Sequence, residues 1–249
     1  MSYILLYAGI IGLSLGIFGS GGSIMTVPVL IYLVGQPDKI AIASSLAIVA
    51  AISFGGSILN IFNRRVSYQH LIWFGLPGML GTYFGAWGGT LVNSKIQLSI
   101  FVILMLIAAK LMWSGRGKFL AETKQSKIKI VINGTVVGAI TGFVGVGGGF
   151  LIVPALVILG GLTMPLAIAT SLLIISMQSL VGFSKYYQIF SEQHIIFDWA
   201  VIGWMIFGGI AGSYVGIWLS NKLPKDIMQK SFSIFLLLMG IFILYRSVI

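Results

Sequence analysis

Apolar residues along this 249-residue chain come in long runs rather than in alternation, as in "LSIFVILMLIAAKLMW" and "SFSIFLLLMGIFILY". Runs near 20 residues are the length a helix needs to cross a hydrocarbon core of roughly 30 Å. Barrel strands would alternate apolar and polar side chains over about ten positions, and these runs do not. The pattern predicts an all-α polytopic membrane protein. Apolar segments are expected at 3–18, 23–34, 40–62, 70–92 and 96–113, then at 130–144, 150–159, 165–187, 195–219 and 227–245. The first two segments of each set are too short to span alone. Each pair reads as one interrupted unit, which gives about eight membrane units. The N-terminus lacks a basic start and a small-residue cleavage pattern, so it reads as a retained first segment.

The two sets repeat one another. Residues Gly16–Asn60 align without a gap on Gly142–Tyr186 at an offset of 126, with 17 of 45 positions identical, too many for two unrelated apolar runs. "GTYFGAW" at Gly81–Trp87 then matches "GSYVGIW" at Gly212–Trp218 at an offset of 131. The expected organisation is a first membrane repeat over 1–113, a linker over 114–129 and a second repeat over 130–249. The linker carries Arg116, Lys118, Lys124, Lys127 and Lys129, and such a basic loop belongs on the cytoplasmic side. If each interrupted pair doubles back, the repeats are inverted; if each runs straight on, they are parallel. Segment length and the placement of basic residues lean slightly to inverted, with parallel left open.

Composition narrows the chemistry. Charged residues make up 8% of the chain against 58% hydrophobic, and there are two histidines, five acids and no cysteine. That leaves no thiolate metal site, no redox motif and no evident acid–base pair, so no cofactor is expected. The net charge of +10 sits mainly in loops flanking the membrane. It is explained by the positive-inside bias rather than by nucleic acid.

The candidate site lies where the helices break. "GSGG" at Gly19–Gly22 and "GVGGG" at Gly145–Gly149 interrupt apolar runs, and each leads into a short segment containing a proline, Pro28 or Pro154. Non-helical backbone survives at membrane depth only if buried in protein or lining a cavity. A helix starting there presents unpaired N–H groups and a positive dipole end, which suits an anion. Matching breaks in two halves point to a transporter site; close helix packing alone is the plainer explanation. The expected binding set is therefore Gly19, Ser20, Gly21, Gly22 and Ser23 with Gly145, Val146, Gly147, Gly148 and Gly149. The next helix of each half adds Ser44, Ser45 and Ser53, and Thr170, Ser171 and Ser179. Ser45 and Ser53, like Ser171 and Ser179, lie eight residues apart and share a helix face. Their hydroxyls can serve an anion or bond to their own helix. Gln178 is a polar side chain that either lines the path or bonds between helices. Tyr83, Trp87, Tyr214 and Trp218 sit in the two matched blocks; the tryptophans read as interfacial anchors, and the glycines Gly81, Gly85, Gly212 and Gly216 as close helix contacts.

The sequence G-x-G-G-G-x-x-x-V-P-x-L, complete as "GVGGGFLIVPAL" and with Ser23 for the last glycine in the first half, resembles the TauE/SafE sulfite exporter family, as does the A-[ST]-S helix that follows. The resemblance covers essentially the whole chain. It implies a multi-pass carrier in a bacterial or archaeal inner membrane, moving small organosulfur or related organic anions such as sulfite, sulfoacetate or sulfonates. It also implies functional roles for Gly19–Ser23, Ser44, Ser45, Gly145–Gly149, Thr170 and Ser171. The partners expected are that anion and membrane lipid, with no nucleic acid; oligomeric state is open, a homodimer among the options. The alternative function is a non-transporting accessory or scaffold subunit, which would not need matched polar breaks. An intramembrane enzyme would need a nucleophile–base pair or a ligand cluster, and neither is visible.

Overall fold

The computed structural model describes residues 2–114, 126–147 and 149–248. Gly148, and with it most of the linker (115–125, including Arg116, Lys118 and Lys124), lies outside the described residues. All regular structure among the described residues is helical. In chain order the elements are α1 (Ser2–Phe18), α2 (Gly21–Pro28), α3 (Asp38–Phe62), α4 (Tyr68–Leu91), α5 (Ser94–Trp113), α6 (Lys127–Val144), α7 (Gly149–Ile158), α8 (Met164–Glu192), α9 (Trp199–Ser220) and α10 (Lys225–Val248). Two wider turns of π-helix occur: Val29–Leu33 extends α2, and Leu71–Gly75 lies within α4. Among the described residues, six helices are long and apolar enough to cross a membrane by length and composition: α3, α5, α6, α8, α9 and α10.

Several expected boundaries move, each for a local reason. α6 begins at Lys127, so Lys127–Lys129 form its first turn rather than the end of a linker. α9 begins at Trp199 rather than Ile195, because the Asp198 carboxylate accepts from the Ala200 and Val201 N–H groups and caps it. Pro28 falls at the end of the α-helical part of α2, not in its early turns. A proline there has no N–H to give, and the chain continues as the π-helical turn.

Both broken units fold back on themselves. A methyl group added at Gly22 would lie 2.4 Å from the Ile11 carbonyl oxygen and 2.6 Å from Leu15 Cβ, so α2 runs back alongside α1. In the second unit, Val137 and Ile140 of α6 line one groove with Leu151 and Pro154 of α7. The bend needs left-handed backbone: φ is +71° at Gly19, +73° at Gly145 and +71° at Gly147. Any side chain there is strained.

The halves are joined by exchange. α1 of the first half packs on α9 of the second, and α6 of the second packs on α4 of the first. Both interfaces are backbone on backbone. An added methyl would meet the Gly209 oxygen at 1.9 Å from Gly12 and the Gly78 oxygen at 2.1 Å from Gly138. It would meet the Gly9 oxygen at 2.2 Å from Gly212 and the Thr135 oxygen at 2.1 Å from Gly81. Each contact is the counterpart of another under the offsets of 126 and 131. Lipid tails are as apolar as leucine, so close approach and dispersion hold such helices together. α3 and α8 cross at the centre, where Ile48, Ile52, Leu172 and Ile174 are fully buried. Outward faces carry Leu80, Phe84, Ile103, Phe207 and Leu238, all exposed, as lipid-facing side chains should be. Trp87 and Trp218 are exposed too, and Lys222 Nζ stands 3.7 Å from the Trp218 ring centre.

These contacts generate a stability prediction. Gly138→Ala forces a methyl into the Gly78 carbonyl and should lower the melting temperature by about 5 °C or more. Gly203→Ala, on the same chain but with nothing within 4 Å, should not lower it, since alanine is the better helix former. Thermal unfolding of the two purified variants checks this; equal effects would remove the packing account.

Candidate anion site

Each broken loop is held by the long helix of the other half. In α8, the Ser171 hydroxyl donates to the Ile168 carbonyl at 2.8 Å and reaches the Gly19 carbonyl at 3.2 Å. In α3, the Ser45 hydroxyl donates to the Ile42 carbonyl at 2.7 Å and reaches the Gly145 carbonyl at 3.2 Å. The same pair of contacts is thus made twice, with the halves exchanged. Within the second half, the Ser179 hydroxyl also reaches that half's own loop, at the Gly147 carbonyl, 3.3 Å away. The hydroxyl bonds within the helix run to the residue three back. The additional reach to a loop is what ties the interruption into the protein. Carbonyls freed from a helix inside hydrocarbon each cost several kcal/mol unless so satisfied.

The two loops meet. A methyl at Gly149, the first residue of α7, would fall 2.7 Å from Ser20 Cβ and 2.8 Å from Ser23 Oγ. Ile175 of α8 closes the same spot at 2.9 Å. The loops are therefore in contact, with no room between them for another side chain. Ser23 Oγ donates back to the Ser20 carbonyl at 2.7 Å, and the Ser23 N–H bonds to the same oxygen at 3.2 Å. Ser20 precedes α2 but makes no capping bond with its side chain. Its hydroxyl is fully buried and has no partner among the described residues. The same is true of Ser44 and Ser53 in α3. Ser14 of α1 is a fourth. Buried hydroxyls are hydrogen-bonded in the large majority of cases, so four serine orphans among the described residues call for an explanation.

Other expected residues have other neighbours. Thr170 accepts from the Ser67 N–H at 3.0 Å and so ties α8 to the segment before α4. Gln178 is buried with both amide atoms unpartnered, and it faces Gly78 of α4, where an added methyl would lie 2.1 Å from Nε2. Gly21 backs onto Ser14 of α1 rather than onto the second loop.

Sequence reasoning missed a cavity of about 400 Å³ beside the first loop. Gly16, Ile168 and Ala169 form part of its lining, together with Asn60, Arg65 and Asn221. The Arg65 guanidinium donates to the Asn221 side-chain oxygen. Ile168 also touches Gly19, with 2.9 Å between its Cγ2 and an added methyl there. Ile168 therefore stands between the cavity and the first loop. Its signal in the sequence is weak: Arg65 is one of two basic residues that follow an apolar run, and Asn221 follows a helix end.

A chain that breaks two membrane hairpins at the same place, seats each break on the other half and holds a cavity one side chain away from one of them has the build of a carrier. The profile of the family described as sulfite exporter TauE/SafE matches residues 4–243. The chain belongs to the TauE/SafE sulfite exporter family. Among proteins similar to this chain, a "probable membrane transporter protein" of Xylella fastidiosa strain 9a5c is 32% identical over 247 residues, covering 96% of this chain and 93% of its own. Another so named in Bacillus subtilis strain 168 is 28% identical and covers 100% of this chain and 99% of its own. A third, from the archaeon Methanocaldococcus jannaschii, is 26% identical over 252 residues, covering 94% and 92%. No solved structure matches the chain. As a TauE/SafE protein with several apolar helices, the chain is a multi-pass inner-membrane transporter and not an enzyme.

The orphaned hydroxyl at the loop contact gives a test. Ser20→Ala removes a buried group that bonds to nothing among the described residues, so the melting temperature should hold or rise. If that hydroxyl serves an anion, the substrate concentration for half-maximal transport should rise about tenfold, the worth of one hydrogen bond to a charged group. Unchanged transport would take Ser20 out of the site.

Proposed function

We propose that this transporter moves a small organosulfur or related organic anion, of the sulfite, sulfoacetate or sulfonate type, through a site near the middle of the bilayer where the two loops meet. The observation that carries this reading is the Ser20 hydroxyl, fully buried beside the second loop and without a partner among the described residues. The short helices α2 and α7 start at this place, and their first N–H groups favour negative charge. Hydroxyl and amide donors can bind an anion without the desolvation cost of a permanently buried cation. Ser53, orphaned in the same way, shares a helix face with Ser45. The family supports the substrate class through its description as a sulfite exporter.

In this reading the repeats are inverted. Because both broken units fold back, each half crosses the membrane in an odd sense, and the second half starts on the side where the first ends. Arg65 bonds to Asn221 and His70 to the Gly160 carbonyl, which gathers the ends of α3, α7 and α9 with the start of α4 at one face. Lys39 bonds to Gly89 and Gln97, which gathers the start of α3, the end of α4 and the start of α5 at the other. The first face then holds Arg64, Arg65, Lys127, Lys129, Lys222 and Lys230, and the second holds Lys39, Lys95 and Lys185. The positive-inside bias makes the first face cytoplasmic.

Two experiments test this. Proteoliposomes containing the purified chain should exchange labelled sulfite, sulfoacetate or a taurine-type sulfonate; no flux of any anion in a broad panel would leave the accessory-subunit reading standing instead. In a chain with no native cysteine, Ser220→Cys should react with an impermeant thiol reagent from the cytoplasmic side and Ser191→Cys from the outer side. The reverse pattern, or reaction of both from one side, would contradict the inverted arrangement.

A further inference from the structure

The cavity on the cytoplasmic face has a counterpart that is not a cavity. Carrying the lining through the offsets of 126 and 131 puts Lys39 at the place of Pro165, Tyr186 at that of Asn60, Gln97 at that of Met228 and Gly89 at that of Ser220. Ile42 stands at the place of Ile168, and each isoleucine touches the loop glycine of the other half. Where the first set encloses open space, the second is filled by a polar cluster. Lys39 Nζ donates to the Gly89 carbonyl at 2.7 Å, to the Val92 carbonyl and to Gln97 Oε1 at 2.6 Å. That uses all three ammonium donors. Gln97 Nε2 in turn reaches the Phe143 carbonyl at 2.6 Å and the Tyr186 hydroxyl at 3.0 Å. Tyr186 is fully buried, with its hydroxyl 3.3 Å from where a methyl at Gly145 would stand. One connected set of bonds thus ties α3, α4, α5, α6 and α8 together directly over the second loop.

We propose that these are the two mouths of one anion path: an open mouth in which Arg65, with Asn60 and Asn221, first receives a small oxyanion, and a shut one latched by Lys39, Gln97 and Tyr186. This rests on the transport reading above and adds to it the entry site and the gate. A single guanidinium in a cavity of this size raises the local concentration of anions over cations. At the other mouth the ammonium is spent on carbonyls at the end of α4, and the tyrosine fills the volume that asparagine leaves free. Releasing Lys39 from Gly89, Val92 and Gln97 frees a cation in the position needed to meet an anion coming from the second loop. The sequence asymmetry of the two halves, lysine against proline and tyrosine against asparagine, fixes which mouth rests open.

The matched isoleucines supply the test. In the cysteine-free chain, Ile168→Cys should react readily with a sulfonate-bearing methanethiosulfonate reagent, and Ile42→Cys roughly tenfold more slowly or worse, since it waits on local opening. Adding Lys39→Ala should raise the Ile42→Cys rate several-fold and leave Ile168→Cys unchanged. Gln97→Met, which installs the counterpart residue, should do the same and serves if the lysine variant does not fold. Arg65→Gln should slow the anionic reagent at Ile168→Cys several-fold without slowing a cationic one. Equal reactivity of the two cysteines in the parent chain, or no response of Ile42→Cys to either latch variant, overturns the gate. An Arg65 effect on both reagents alike, or on neither, overturns the entry site. None of these readings needs flux, so their failure leaves the transport reading intact, and failure of every flux assay leaves the labelling result to stand by itself.

Discussion

Backbone that leaves the helix inside hydrocarbon must find its hydrogen bonds in the protein, and this structure is arranged around two places where it does so. Gly19 and Gly145 turn the chain through left-handed backbone, and the carbonyls exposed by the turn are met by Ser171 and Ser45. At these two carbonyls the serine comes from the opposite half, while Ser179 adds a bond from the second half to its own loop at Gly147. The long helix of each half supports the break in the other, so neither break is complete until the halves are together. The same exchange recurs in the outer helices, where α1 lies on α9 and α6 on α4 through glycines that allow backbone contact. A chain built this way has little freedom to separate its halves, yet its contacts are small and repeated, which suits sliding between alternative packings.

Much of this was legible in the sequence because two copies were there to compare. The fold class, the breaks at Gly19 and Gly145, and the serines that follow them all stood out through the offset of 126. The small residues at Gly81, Gly85, Gly212 and Gly216 also read as close contacts, and the structure places a backbone against each. What the sequence could not show was the partner. Nothing in "ASS" says that Ser45 reaches a loop a hundred residues on while Ser44 reaches nothing. Gln178 has the same limit: its polarity in an apolar helix was plain, but that it faces Gly78 depends on how α8 is rotated. Helix starts at Lys127 and Trp199 moved because capping and charge tolerance at a membrane edge are decided by a few atoms, not by the apolar run.

The features outside the repeat were the hardest to see. Lys39, Gln97 and Tyr186 are single residues on separate helices, each with an ordinary reason to be where it is. Only the fold brings them into one set of bonds, and only the comparison with Pro165, Met228 and Asn60 makes that set informative. Internal symmetry thus served twice. Its agreements located the broken loops and the hydroxyls around them. Its disagreements distinguish the two faces, which a strictly symmetric chain would have left equivalent.

The central claim is that the meeting point of the two loops receives the anion. Anomalous diffraction from crystals of the protein soaked with 2-bromoethanesulfonate addresses it directly. The account predicts a bromine peak between the two loops, with the sulfonate oxygens in hydrogen-bond reach of the Ser20 or Ser53 hydroxyl and the loops moved apart to admit it. A peak elsewhere, with Ser20 and Gly149 still in contact as they are now, would contradict it.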